Sequence, residues 1–174
     1  MRNRAINALN YTGIVTLSQY IGTKKIKLAQ VHNTGGSSLF NFLANCLAGE
    51  FDVAKANIPT KIRLLNRIGD ADNYIYSPIT SSIFLRTPPE PSFTTGESRV
   101  KFSFIIPRDF LDSASLTSTP DNTLCLGLYA NSVSEDNWDN FMAFCELDSL
   151  GQSILANAYL VVDWELIITN SVKT

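Results

Sequence analysis

Residues 34–49 are the one stretch of this chain that reads as a convincing helix; almost everywhere else apolar and polar residues alternate. That imbalance is the strongest constraint on the fold. Alternation gives strands with one buried face, and a helix among them needs a sheet to cover its apolar side. The clearest alternating run is residues 99–106, where Val100, Phe102, Phe104 and Ile106 take turns with Arg99, Lys101 and Ser103. In residues 154–169, Leu160, Val162, Trp164, Leu166 and Ile168 share one face.

Residues 12–21 and 24–31 are two further alternating runs joined by Gly22-Thr23, which predicts a hairpin. Residues 60–66, 82–86, 123–130 and 141–147 supply more strands. Residues 74–80 form an extended piece broken by Pro78, which suits an edge, and residues 87–91 are rich enough in proline to be a stiff loop. Residues 50–57 stand between a loop and a short helical turn, and 107–122 form a long connection able to cross between sheets. The expected architecture is mainly β, an antiparallel β-sandwich of jelly-roll type with about eight strands and one α-helix at 37–48.

The helix has local support. Ser37 or Ser38 is expected to accept from free N–H groups of the first turn, and Gly49 stands where a left-handed residue ends a helix. Leu39, Leu43, Cys46 and Leu47, flanked by Phe40 and Phe42, form an apolar stripe expected to face the sheet.

A chain of 174 residues suits one domain, here 11–174, preceded by an N-terminal arm at 1–10. Arg2 and Arg4 in that arm are candidate contacts to a neighbouring subunit. Charged residues make up 17%, below the usual quarter, as suits a surface rich in turns or partly covered by neighbours. Fourteen basic and sixteen acidic residues give a net charge of −2, and Lys25 and Lys27 fit a solvated strand face, so nucleic acid is not an expected partner. No long apolar run predicts a membrane span, and the N-terminus lacks the apolar core of a secretory signal. Cys46, Cys125 and Cys145 sit among apolar residues and are expected to be buried free thiols.

Chemistry is sparse. His32, the single histidine, has no nucleophile or second titrating group pointed to it by sequence and is expected to be a hydrogen-bonded structural residue. No nucleophile elbow, phosphate loop or zinc motif is present, so neither an enzyme nor a bound cofactor is expected. Glu135, Asp136 and Asp139 are weak candidates for a hard cation such as calcium, without the glycine and terminal glutamate of an EF-hand loop. Trp138, Tyr74 and Tyr76 are candidates for a sugar-stacking platform, the basis of an alternative reading as a carbohydrate-binding, lectin-like module.

The runs at 11–17 (YTGIVTL), 25–35 (KIKLAQVHNTG), 39–49 (LFNFLANCLAG), 59–66 (PTKIRLLN) and 160–170 (LVVDWELIITN) resemble the hairpin, helix and strands of small β-rich virion structural proteins of tailed bacteriophages, including the crAss-like group. The resemblance implies a non-enzymatic subunit present in many copies per particle, as capsid decoration, head fibre or neck and tail accessory. It implies a homo-oligomer whose partners are other virion proteins, made in the bacterial cytoplasm and located in the virion, with a host glycan as a further candidate ligand. It carries over no catalytic residues.

Overall fold

The computed structural model describes residues 7–69, 74–106, 122–134, 140–147, 154–155 and 157–172. Among the described residues the structure is mainly β, 63% strand with two short helices. In order it forms β1 (Asn7–Ile21), β2 (Lys24–Gly35), α1 (Ser37–Ala48), α2 (Phe51–Ala56), β3 (Pro59–Gly69), β4 (Tyr74–Pro78), β5 (Ile83–Phe84), β6 (Glu90–Thr94), β7 (Glu97–Ile106), β8 (Asn122–Ala130), β9 (Ala143–Leu147) and β10 (Tyr159–Val172).

Ten strands make one large antiparallel sheet in the order β4-β3-β8-β9-β2-β1-β10-β7-β6, with β5 pairing beside β4 on β3. The joint is β2. Its residues Lys24–Asn33 pair with β1, and only its last two, Thr34 and Gly35, pair with Phe144 and Ala143 of β9. Two halves, β6-β7-β10-β1-β2 and β2-β9-β8-β3-β4, therefore hang on a short shared segment.

Alternation decides what fills the space between them. Val15 and Leu17 of β1, Phe102, Phe104 and Ile106 of β7, and Leu160, Val162 and Trp164 of β10 are buried in the same cluster as Ile62 and Leu64 of β3, Leu124, Leu126 and Leu128 of β8, and Cys145 and Leu147 of β9. Each strand contributes every second residue, so both halves present one face to a single core.

The strands match the expected runs with several differences. Residues 7–10, assigned above to the arm, continue β1, because their backbone pairs with residues 169–172 of β10. Glu90 and Pro91, assigned to a stiff loop, open β6, since an edge strand can hold a proline without losing a ladder bond. At the other end of the strand order β4 runs to Pro78, as the proline suggested. The last strand starts at Tyr159 rather than 154, because a backbone bond from Ala158 N–H to the Leu155 carbonyl (3.0 Å) turns the chain just before it. Residues 50–57 resolve into the short helix α2, and the long connection at 107–121 lies outside the described residues.

Helix α1 spans the expected residues and ends at Gly49, whose φ of +79° is left-handed. Its start differs from expectation: Gly36 is the N-cap and no side chain caps the first turn. The hydroxyl of Ser38 instead donates to Asn140 Oδ1 at 3.3 Å. Gly36 N–H donates to the Met142 carbonyl at 2.6 Å, and a Cβ at Gly36 would stand 2.8 Å from the Phe141 carbonyl oxygen, so the close approach requires glycine. Leu39 is buried with Ala130 and Met142, with Phe42 and Leu43 packed partly against them. The stripe is not wholly covered, however: Leu47 is 81% exposed and Phe40 52%. The helix is pinned by its first turn, and its remaining apolar residues are only partly buried or face outward.

Two substitutions test this arrangement by urea denaturation. Trp164→Ala empties the shared core and is expected to cost about 3–5 kcal/mol. Gly36→Ala drives a methyl into a backbone carbonyl and is expected to cost about 1–3 kcal/mol by forcing α1 off β9, as overpacking does; an unchanged midpoint would mean that the close approach is not tight.

Candidate functional site: the outer face of β3, β8 and β9

The residues of β3 that point away from the core are Lys61, Arg63, Leu65 and Arg67, which puts three cations at alternate positions of one strand. Register then fixes their neighbours. Lys61 pairs with Tyr129, Arg63 with Gly127, Leu65 with Cys125, and Arg67 with Thr123 on one side and Tyr76 on the other. From β9, Phe144 stands opposite Gly127 and Glu146 opposite Cys125.

An outward sheet face is ordinarily wet, yet Leu65, Cys125 and Tyr129 are fully buried here, and Lys61 and Arg63 are each only 6% exposed. Aromatic rings do part of the covering. Phe141 lies edge-on to Tyr76 (centroids 5.6 Å) and to Tyr129 (6.4 Å) and tilts against Phe144 (4.8 Å). The Tyr129 ring lies over Gly127, where a Cβ would meet its hydroxyl at 2.7 Å. Gly127 is the flat spot that lets this ring lie down.

Each cation is engaged by the protein. Arg67 pairs with Glu146 at 2.6 Å, and Arg63 Nε donates to Ser82 Oγ at 3.2 Å. Lys61 donates to the Val133 carbonyl and its ammonium sits 5.8 Å from the centre of the Phe84 ring. No carboxylate among the described residues pairs with Lys61. Burial, followed by the positive charge of Arg63, lowers its pKa from the ordinary 10.5. Most of the face is already covered by the protein's own rings, with Tyr76, Phe141 and Phe144 left half-buried.

The outer face of the other half is different in kind. Lys25 pairs with Asp163 (3.0 Å), which also accepts from Ser103 Oγ (2.7 Å); Arg99 pairs with Glu165 (2.5 Å) and Glu97 (3.1 Å), and Lys101 with Glu90 (2.5 Å). Tyr20 stacks on Tyr159 at 5.3 Å beneath Lys25. Opposite charges from four strands, β2, β10, β7 and β6, pair and cancel locally, as a solvated face requires. Near the joint, the Tyr11 hydroxyl donates to Asn33 Oδ1 at 3.1 Å, and burial pushes its pKa up to about 12.

Of the residues singled out from sequence, Tyr76 enters the aromatic cluster, half-buried. Tyr74 lies in β4 with its backbone opposite Gly69. Trp138, Glu135, Asp136 and Asp139, and Arg2 and Arg4, lie outside the described residues. His32 is exposed on β2 opposite Ile14, and among the described residues no hydrogen bond holds it, contrary to the expected structural role. Cys125 and Cys145 are buried free thiols and Cys46 is half-buried. Among the described residues no three His, Cys, Asp or Glu side chains converge on a metal position, and no helix is long and apolar enough to cross a membrane. Phe141, Phe144, Tyr129 and Arg63 were not singled out, although strand register alone would have placed three of them around Gly127. Comparison with protein-family models, with curated proteins and with solved structures returns no match.

Because Lys61 is held with a lowered pKa, the unfolded chain binds its proton more tightly than the folded one. Stability is therefore expected to rise with pH from the folded pKa towards 10.5. Denaturant midpoints of the wild type and Lys61→Met between pH 7 and 10 check this: the variant should show the flatter profile, and parallel profiles would refute the assignment.

Proposed function

We propose that the chain is a non-enzymatic structural subunit of a tailed-bacteriophage particle, a β-sandwich of jelly-roll type present in many copies and located in the virion. The sandwich reading is supported by the two sheet halves that join only at the end of β2 and contribute to one core. The assembly reading draws on the resemblance of the five quoted segments to small virion proteins. The observation that carries it is where the chain puts apolar surface: Leu47, Phe51, Ile75 and Phe93 all stand more than half exposed, while the charges of the opposite face neutralise one another. A subunit that meets neighbours can bury such residues at its contacts, and of the four Leu47 and Phe51 stand nearest one another in sequence, on successive helices.

Mass spectrometry of purified particles tests the reading. The chain is expected at a copy number well above one, and its absence from particles would overturn the proposal. A second reading, a carbohydrate-binding module, is favoured by one observation, the half-buried rings of Tyr76, Phe141 and Phe144 beside Arg63 and Arg67. On that reading, glycan binding measured by calorimetry falls at least tenfold in Tyr76→Ala; binding that is absent, or indifferent to Tyr76, removes it.

A further inference from the structure

Strand β2 is twelve residues long, yet it has two neighbours nowhere along most of its length. Lys24–Asn33 pair with β1 on one side, and only Thr34 and Gly35 reach β9 on the other. Before Thr34, no backbone among the described residues pairs with that second side. Every second residue of a strand turns its N–H and C=O towards the same neighbour, so a row of donors and acceptors here has no ladder partner. The strands that end the order carry Pro78 and Pro91, whereas β2 contains no proline.

We propose that this open edge of β2 takes up an extended, acidic segment of a partner protein as an added strand. The backbone row sets the form of the partner, because only an extended chain matches donors and acceptors that repeat along a strand. Charge sets its sign. β2 holds Lys24, Lys25 and Lys27 and no acid. Two copies of the strand laid side by side would bring lysines together with no carboxylate to answer them, which selects against a second copy. Lysines on an edge turn away basic and neutral strands, and an acidic strand is the one they admit. Lys25 meets Asp163 at 3.0 Å, but Lys27 is held only by the amide oxygen of Gln30 at 3.2 Å, and Lys24 has no acid among the described residues.

Alternation supplies the partner's pattern. Lys25 reaches Asp163 on the outer face and Lys27, two residues on, shares that face, while Leu28 is buried in the core. Leu17 pairs with Ala29 and Ser18 with Lys27, so Leu28 is the extra residue of a bulge, and the exposed Gln30 and His32 continue the outer face beyond it. Residues directly opposite across a ladder share a face. A segment that adds here therefore sets carboxylates at alternate positions beside Lys25 and Lys27, and an apolar side chain between them beside the half-buried Ile26. The inference goes beyond the assembly reading and stands without it, since it concerns the chemistry of one edge and not where the chain resides.

The test uses the full chain and two end-blocked probe peptides as long as the open edge, one alternating valine with glutamate and the other valine with lysine. Calorimetry is expected to show the glutamate peptide binding roughly tenfold more tightly than the lysine peptide, and less tightly as salt is added. Hydrogen exchange should slow at amides within Lys24–Asn33 when it binds. Lys27→Glu, an exposed change, should keep the far-ultraviolet signal, weaken the glutamate peptide about fivefold, the scale of an exposed ion pair, and strengthen the lysine peptide. N-methylation of the central residues removes backbone donors from the glutamate peptide without altering its charge, and should abolish binding. Equal binding of the methylated peptide would mean charge attraction without strand pairing and overturns the proposal. So does an absence of binding, indifference to Lys27→Glu, or protection that appears on β4 or β6 instead. Amides of β2 that are all slow in the free chain would mean that the chain covers this edge itself, and a dimer that protects them would give the edge to a second copy; either result overturns the proposal. Presence in particles or absence from them bears on the assembly reading alone.

Discussion

The fold depends on how β2 ends. Up to Asn33 the strand belongs to β1; at Thr34 and Gly35 it pairs with β9, and at Gly36 its backbone N–H reaches the Met142 carbonyl before the chain turns into α1. Three consecutive residues thus join the two sheet halves and start the helix. Little freedom is available there: a Cβ on Gly36 meets a carbonyl oxygen, and a Cβ on Gly35 would press on the Tyr11 ring and Leu39. Backbone groups at such a corner have no side chain to cap them, so the pairing with β9 and the bond to Met142 satisfy what a sharp change of direction would otherwise leave bare. Leu39, one turn into the helix, then fills the space beneath with Ala130 and Met142. The joint is therefore sealed by apolar packing immediately next to its hydrogen bonds.

The two outer faces show opposite solutions to carrying charge on a sheet. On β2 and β7, Lys25, Arg99 and Lys101 each meet a carboxylate of β10 or β6, and the pairs remain partly wet, where each contributes little. On β3 Lys61 and Arg63 are almost wholly buried and Arg67 partly so, and the loss of hydration must be offset by specific bonds. The Val133 carbonyl, Ser82 and Glu146 supply those bonds to Lys61, Arg63 and Arg67. Arginine suits such a place better than lysine because it is less strongly hydrated and offers several donors. Lys61 has one carbonyl and no acid among the described residues, so burial and then the charge of Arg63 lower its pKa without an ion pair to offset them.

Much of this fold was legible in the sequence because two-residue alternation reports directly on one-sided burial. Phe102, Phe104, Leu160, Val162 and Trp164 could be assigned to the core before any coordinates, and the bounds of α1 follow from its spacing and Gly49. What was not legible depends on things periodicity does not encode. Lys61 and Arg63 alternate with Ile62 and Leu64, a pattern that ordinarily puts the charged residues in solvent, and only the contacts laid over β3 reverse that. Pro91 suggested a loop because sequence does not reveal that its strand lies at an edge, where the missing N–H costs no ladder bond. The stripe of α1 correctly demanded cover, but periodicity gives the angular position of a face and not how far along the helix the cover extends. Leu39 and Leu47 look equivalent in sequence and differ completely in exposure.

That inequality bears on which surfaces of the chain stay open. Open edges are the usual route to association between β proteins. The strands that end the order are blunt, and along β2 the residues before Thr34 pair with β1 alone and leave a further edge that carries Lys24, Lys25 and Lys27. The strands at the ends of the order, β4 and β6, are five residues long, and each contains a proline, Pro78 and Pro91, whose nitrogen has no hydrogen to give to an added strand. At β6 the Glu90 side chain is also tied back to Lys101. The chain thus combines ends of the strand order that resist strand addition with a charge-free helical face, Phe40 and Leu47, that is open to water. The helix is held by its first turn, where Leu39 packs on Ala130 and Met142, and is open along its outer side because the contacts that close the joint end there.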